Sequence, residues 1–401
     1  MENLTSVFPD WAHLPLAAVY LISEKVNCIT DYVRFRAVCS PWRSASLPKP
    51  RHLPHQLPWL MIPSLKDLRE DGGVHLFYDL WQSKMRKIHL PETIGKKCCA
   101  SYRGWLLLMA PQGTELFLLN PLTRARVQLP SFTAPVNFIW DKAHNDLHIP
   151  TGKVDFLFNS ELRNYVITKM TFSVDLTDPN CLIMMFIQSL RAIFFCKLGD
   201  RCWTLVVLPR VPSGGVTDAA YNNGSFYLLY KRFILNFDLS QHKLQVQDMY
   251  SFKPELQSVL SFFLEGKSGI YIVAVNFTIE NEEAEKITER FPKQKLELYQ
   301  VQDQEQRMEV KRIVDISDTT IFNGDNYQYL AVRTDDWDSL NGGCMYNVRA
   351  SSADNAGDES SYSIYFAKVD KVNPEPVVLD LAKNLPIWPS VPAMWFQPSF
   401  V

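Results

Sequence analysis

Apolar positions recur in two different rhythms along this chain of 401 residues. From Trp11 to about Ser46 the rhythm is helical. Leu16, Val19, Ile22 and Val26 step by three or four residues, and Pro15 stands where a first-turn proline is tolerated, its missing N–H having no partner there anyway. The stretch DYVRFRAVCSPWRSA (31–45) follows. It predicts a second helix capped by Thr30 or Asp31, with Tyr32, Phe35, Val38 and Cys39 on one apolar face. Pro41 cannot continue that helix, because it lacks the N–H and its ring clashes with the preceding turn. Ser40 therefore reads as a new N-cap, and Trp42 falls on a third short helix. Three helices in about 36 residues bury little surface, so a partner or a neighbouring domain is expected to complete their core.

Residues 48–63 hold a cluster of prolines (PKPRHLPHQLPWLMIP), an extended, stiff composition that marks a boundary. Beyond it the rhythm changes to short β-branched and aromatic runs separated by Gly, Asn, Asp and Pro: VHLFYDL, GWLLLMA, ELFLLNP, NYVITKMTF, CLIMMFI, AIFFCKL, WTLVVLP, SFYLLY, FILNFDL, GIYIVAV, LELYQV, SIYFAKV and PVVLDL. One phrase recurs, a strand that ends in Leu-Pro, at Leu90-Pro91, Leu129-Pro130 and Leu208-Pro209. Another is glycine before an aromatic strand, at Gly104-Trp105 and Gly224 with Phe226. A period near 40 residues with four short strands fits a β-propeller blade, six or seven in number. A large β-sandwich or a pair of β-domains is the alternative. The predicted organisation is α + β: a helical domain over 8–47, a linker over 48–65 and a large all-β domain over 66–401.

Composition narrows the function. Lys plus Arg is 41 against 43 for Asp plus Glu, which disfavours a protein built to grip a phosphate backbone. No basic, continuously apolar leader opens the sequence and no apolar run reaches membrane-spanning length. The expected setting is cytoplasm and/or nucleus, with neither nucleic acid nor membrane as partner. There the eight cysteines are reduced thiols, mostly small core hydrophobes, and the sequons at Asn3, Asn223 and Asn276 are chance matches.

Catalytic and ligand motifs were sought and none is complete. Gly266-Lys267-Ser268 lacks the upstream glycine of a phosphate loop, since Ser261 stands there, so a β-turn is the better reading. His52 and His55 flank linker prolines and read as exposed side chains, not ligands. Cys98-Cys99 should send one thiol to each face of a strand. Asp335-Asp336-Trp337-Asp338 lacks the spacing of a calcium loop and reads as solvated. No catalytic residue, metal or cofactor is implied.

The arginines at 34, 36 and 43 raise a nucleic-acid reading, with Tyr32 and Trp42 stacking on bases. Yet the aromatics share their stripe with Val38 and Cys39, a stripe that suits a dry surface, while the arginines flank it with their heads in water. Trp11-x-x-Leu14-Pro15, Val19-x-x-Ile22, the run from Asp31 to Cys39 and Trp42-Arg43 together resemble an F-box, particularly the plant form. Lys25 departs from it where many F-boxes carry leucine, and Val26 is at hand to serve instead. The remainder resembles the plant domain that follows F-boxes and is thought to form a kelch-like β-propeller. The residues that carry this are Arg103-Gly104-Trp105-Leu106, Leu119-Asn120-Pro121-Leu122-Thr123, Phe322 to Asn326, Asn341 to Tyr346, and Pro392 to Pro398.

The resemblance implies a substrate-recognition subunit of a cullin–RING ubiquitin ligase of the SCF type, itself non-catalytic. Its F-box would dock a Skp-type adaptor and its β-domain would recruit an unidentified protein target. The adaptor-binding positions it implies are Leu14, Pro15, Leu16, Val19, Ile22, Phe35, Val38, Cys39 and Trp42, each as readily core as interface. Two alternatives stay open: an F-box-like scaffold acting outside a ligase, and a propeller enzyme or small-molecule sensor. Polar side chains converging on one end of the channel would favour the sensor.

Overall fold

In a computed structural model of the chain the two rhythms become two kinds of architecture. The structure describes residues 11–48, 50, 52–53, 57–62, 72–80, 82–111, 114–132, 137–139, 167–187, 192–207, 216–230, 233–238, 245–251, 260–266, 269–278, 293–304, 307–313, 319–324, 329–333, 343–351, 361–368, 377–380 and 393–399. Asp335 to Asp338, His55 and Leu208-Pro209 lie outside them.

After a 3-10 turn at Trp11–His13 come α1 (Leu16–Ser23), α2 (Ile29–Ala37) and α3 (Ser40–Ala45). Strands then assemble six sheets. Blade one holds β1 (Trp59–Ile62), β2 (Val74–Asp79) and β3 (Lys84–His89); blade two holds β4 (Lys97–Tyr102), β5 (Trp105–Met109), β6 (Leu116–Leu119) and β7 (Arg126–Leu129). Blade three comprises β8 (Asn137–Ile139), β9 (Ile167–Phe172), β10 (Leu182–Ile187), β11 (Ala192–Lys197) and β12 (Thr204–Val207), with β8 added in parallel to β12. Blade four is β13 (Asp218–Asn222), β14 (Ser225–Tyr230), β15 (Phe233–Asp238) and β16 (Gln245–Ser251). Blade five is β17 (Leu260–Gly266), β18 (Gly269–Thr278), β19 (Lys293–Gln304) and β20 (Arg307–Ile313).

Blade six breaks the simple meander. It contains β21 (Thr319–Asn323), β22 (Tyr329–Arg333), β23 (Cys344–Ser351), β24 (Ser361–Lys368) and β25 (Val377–Asp380), and β21 pairs antiparallel with β22 but parallel with β23. Finally β26 (Met394–Phe396) returns to blade one and pairs with β1, Leu60 opposite Trp395. That pairing joins the two ends of the β-domain and closes the ring. Trp59–Ile62, within the proline-rich stretch, is thus a strand of the first blade.

The alternation of β side chains explains why the central strands read as unbroken apolar runs. Along β5, Trp105 and Leu107 belong to the core between blades two and three, while Leu106 and Leu108 belong to the core between blades one and two. Along β18, Ile270, Ile272 and Ala274 face blade four, and Val273 and Val275 face blade six. Each blade is a sheet buried on both faces, and one hydrophobic cluster fills each of the six interfaces. Cys98 and Cys99 do point to different cores, and a β-bulge between Cys98 and Ala100 sits at that pair.

The glycine phrases are tight hairpins. Arg103 and Gly104 both have positive φ (44° and 84°), as do Asn223 and Gly224 (47° and 87°), the two-residue turn whose twist matches the flanking strands. At Gly104 a side chain is excluded twice, since a Cβ would also collide with Ser399, whose hydroxyl donates to the Arg103 carbonyl at 2.9 Å. Asn120 accepts from the backbone N–H groups of Leu122 and Thr123 (2.9 and 3.0 Å) and donates to the Ser399 carbonyl at 3.1 Å. Phe322, Tyr346 and Trp395 pack together at 5.0 Å centroid spacing in the closing core. The motifs that carried the family resemblance are therefore turn and closure features.

Candidate functional site: the amino-terminal helices and the channel mouth

The helical unit is organised around an aromatic row. Tyr32 is fully buried and its hydroxyl donates to the Leu47 carbonyl at 2.9 Å; Phe35 follows at 6.4 Å, and Trp42 lies over Phe35 at 4.5 Å. Burial pushes the Tyr32 phenol up, so it remains a donor. Trp42 Nε1 donates to the Trp11 carbonyl at 3.0 Å, pinning the 3-10 turn to α3. His52 is not the exposed linker side chain expected. It is largely covered, edge-on to Tyr32 at 5.6 Å, 3.0 Å from the Val26 carbonyl and 3.3 Å from the Glu24 carboxylate.

Helix boundaries differ from expectation by a residue or two. Cys28, not Thr30 or Asp31, occupies the N-cap of α2, its thiol 3.0 Å from the Thr30 hydroxyl. Asp31 instead pairs with Arg34 on the surface at 3.1 Å. Cys39 takes the N-cap of α3, which places Ser40 at the first position and Pro41 at the second, still within the turn that needs no proline N–H.

Burial divides the nine implied positions. Val19 and Phe35 are core. Leu14, Cys39 and Trp42 are half-buried. Pro15, Leu16, Ile22 and Val38 face outward, Leu16 with 55% and Val38 with 58% of their surface exposed. Val38 leaves the stripe because it lies about 120° around the helix from Tyr32, at a step of i+6. Trp11, Tyr20, Leu21 and Leu47 are also large, apolar and exposed, and the stripe did not single them out as surface. In α1 only Val19 and Ser23 are buried, although its sequence, LAAVYLIS, is apolar all round. A helix of that kind normally has covering on more than one side.

The helices are also tied to the ring. Ile29 is buried in the core between blades one and two, together with Trp59, Phe77, Met394 and Phe396. Below it Arg86 donates to the Thr30 hydroxyl (3.2 Å), to Asp79 (2.8 Å) and to Gln82 (2.8 Å), and lies over the Trp59 ring at 4.9 Å.

A second site lies at one end of the channel. Its cavity, of about 170 Å³, takes one wall from every blade: Tyr102, Lys169, Ala220, Glu265, Leu330 and Trp395 stand on or beside their innermost strands. Glu265 accepts from the Tyr102 hydroxyl at 2.5 Å and from Arg103 at 2.8 Å, so blade five reaches blade two across the channel. Lys169 meets Asp218 at 2.6 Å, and Asp218 also accepts from the Phe263 amide at 2.7 Å. Burial lifts both the Tyr102 phenol and the Asp218 carboxyl above their usual ranges, Lys169 and the amides acting the other way on Asp218. No sequence signal pointed here, because residues from positions 101 to 397 converge only when the ring closes.

A short helical unit followed by a six-sheet ring of radially packed blades defines a helix-plus-β-propeller protein. The chain belongs to the KIB1-4 beta-propeller family, whose match covers residues 77–366. Relatives are F-box proteins of Arabidopsis thaliana. F-box protein At3g56470 is 29% identical over 171 residues, 41% of this chain and 42% of the relative. F-box protein At4g00893 is 28% identical over 122 residues, 30% of this chain and 29% of the relative. At4g22180, named an F-box protein provisionally, is 25% identical over 262 residues, 62% of this chain and 56% of the relative. The chain thus spans about half the length of the curated relatives it matches. Among solved structures, a streptogramin B lyase aligns over 82% of this chain and 83% of its own at 10% identity, with a TM-score of 0.29, too slight a likeness to bear on this chain.

Proposed function

We propose that this chain is a non-catalytic substrate-recognition subunit of a cullin–RING ubiquitin ligase, its helices docking a Skp-type adaptor and its propeller recruiting a protein target. The observation that carries the reading is the outward-facing apolar surface of the helical unit: Leu16, Ile22 and Val38 stay exposed after the chain has folded, with Tyr20 and Leu21 beside them on α1. Apolar side chains gathered on one small unit mark an interaction surface. The family of the propeller and the F-box names of the relatives support the same reading.

Burial supports a division of these residues by role. Leu16, Ile22 and Val38, with Pro15, are the adaptor contacts; Val19 and Phe35 build the core that presents them; Leu14, Cys39 and Trp42 contribute to both. The test is a direct pull-down of the purified chain with a Skp-type adaptor. Capture by the wild type and its loss in a Leu16→Ser/Val38→Ser double variant of unchanged melting temperature is the expected outcome, since a buried hot-spot pair costs about 2 kcal/mol or more. A folded chain that ignores the adaptor overturns the reading.

A further inference from the structure

The ring closes where β26 pairs with β1. Inner hairpins such as β4–β5 and β13–β14 are joined by two-residue turns, but β26 and β1 come from opposite ends of the β-domain. A pairing between distant segments bears the cost of closing the long loop between them, and β26 is only three residues long. Pairings of that kind belong to the low-stability end of a structure, where local opening starts.

Beyond Phe396 the chain continues over blade two. Gln397 lines the channel mouth, Pro398 is buried, and Ser399 is held from two turns. Its hydroxyl donates to the Arg103 carbonyl at 2.9 Å in the β4–β5 turn, and its carbonyl accepts from the Asn120 side-chain amide at 3.1 Å beside the β6–β7 turn. Blade two is shaped for this grip. Asn120 is fully buried, and its Oδ1 is engaged by the backbone N–H groups of Leu122 and Thr123, which aims its NH₂ group at Ser399. Gly104 leaves open the space that a Cβ would take from the Ser399 side chain. Pro398, its φ fixed by the ring, lowers the entropy lost when the segment is ordered.

Arg103 is the meeting point. Its carbonyl holds Ser399, and its guanidinium donates to Glu265 of blade five at 2.8 Å. The Tyr102 hydroxyl donates to the other Glu265 oxygen at 2.5 Å. We propose that Gln397–Ser399 is a strap that fastens the closing strand to blade two and, through Arg103, couples that seam to the bridge across the channel, so that seam and channel mouth loosen together. The strap owes nothing to the ligase reading and holds whether or not the helices dock an adaptor.

Hydrogen exchange of the full chain, followed by mass spectrometry under conditions where exchange reports the opening equilibrium, tests this. Ser399→Ala removes the hydroxyl donor, and Asn120→Asp keeps the acceptor of its own turn while losing the amide donor. Each is expected to speed exchange in Trp59–Met61 and Met394–Phe396 about three- to tenfold, the loss of one hydrogen bond of ordinary strength, and to leave Ser225–Tyr230 of blade four unchanged. Glu265→Gln, made on blade five, is expected to speed exchange at the seam as well, and its effect combined with Ser399→Ala should fall short of the product of the two. Exchange at the seam unmoved by Ser399→Ala or by Glu265→Gln, an equal rise in blade four, or effects of the two that simply multiply would each overturn the proposal.

Discussion

The helical unit and the propeller distribute the same kinds of side chain in opposite ways. In the propeller the apolar residues are inside, shared between blades, and a polar group meets in the centre, where Tyr102, Arg103 and Glu265 bridge the channel. In the helices the core is thin, an aromatic row with Val19 and Ile29, and large apolar residues lie on the outer surface. A closed ring of blades satisfies itself, because every sheet face has a neighbour. Three short helices cannot, and they lean on Ile29 and Arg86 for anchorage and leave a surface uncovered. The difference teaches that one part of this chain closes on itself and the other leaves apolar surface uncovered.

The contrast can be broken first where it is strongest. Trp203 is fully buried between blades two and three, and its Nε1 donates to the Pro130 carbonyl at 2.7 Å. Trp203→Ala is expected to cost about 3–5 kcal/mol in chemical denaturation, with the loss felt by the whole ring. A loss under about 1 kcal/mol would show that the blades do not depend on that interface.

Acid should weaken the propeller next. His75 is buried and held neutral, its pKa lowered to about 4 by burial, with the Thr93 hydroxyl 2.6 Å from Nε2. An unfolded histidine takes up its proton near pH 6.5 while the folded one does not. Stability from this residue is therefore complete above about pH 6.5 and falls as pH drops toward 4, by up to about 1.4 kcal/mol per pH unit. Urea titrations between pH 7 and 4 should show that slope, and His75→Gln should flatten it.

Ile29 tests the joint between the two regions. Ile29→Ala is expected to cost about 2–3 kcal/mol and to speed proteolysis of the helices more than that of the blades. Equal protection of both regions would mean that they do not rely on this contact. The smallest effect on stability is expected at the outer surface of the helices. Leu16→Ser and Val38→Ser should each change stability by less than about 0.5 kcal/mol while removing adaptor capture. A large loss of stability there would reassign those side chains to the core.

Which strands were legible follows from where they lie in a blade. All thirteen apolar runs read from the sequence overlap strands of the ring, because most fall at central positions, buried on both faces. Outer strands were less legible: KMRKIH and RVQL showed only through their Leu-Pro ends, and RMEVKRI escaped notice, because such strands carry charges along their exposed side and lack a continuous apolar signal. Two inner strands escaped for another reason, although β9 was read. DAAYN and KCCASY are built from small and polar residues, since the ring narrows toward its axis. Leu-Pro and Gly-Trp were read as repeat punctuation, and they do mark blade ends and hairpins at Leu90, Leu129 and Gly104.

The sequence by itself determined the class of fold and the place where the chain changes character, because alternation and helical spacing are local properties that burial on one or two faces writes directly into neighbouring residues. It also carried the F-box phrase and the apolar residues of the helices. Tertiary structure alone decided which of those residues remain on the surface, since helices 16–23 and 29–37 must pack before Val19 and Val38 part company. Ring closure alone decided the channel mouth. Residues as distant as Tyr102, Glu265 and Trp395 share a cavity only because Met394–Phe396 returns to pair with Trp59–Met61, and no local pattern records a meeting that depends on every blade between.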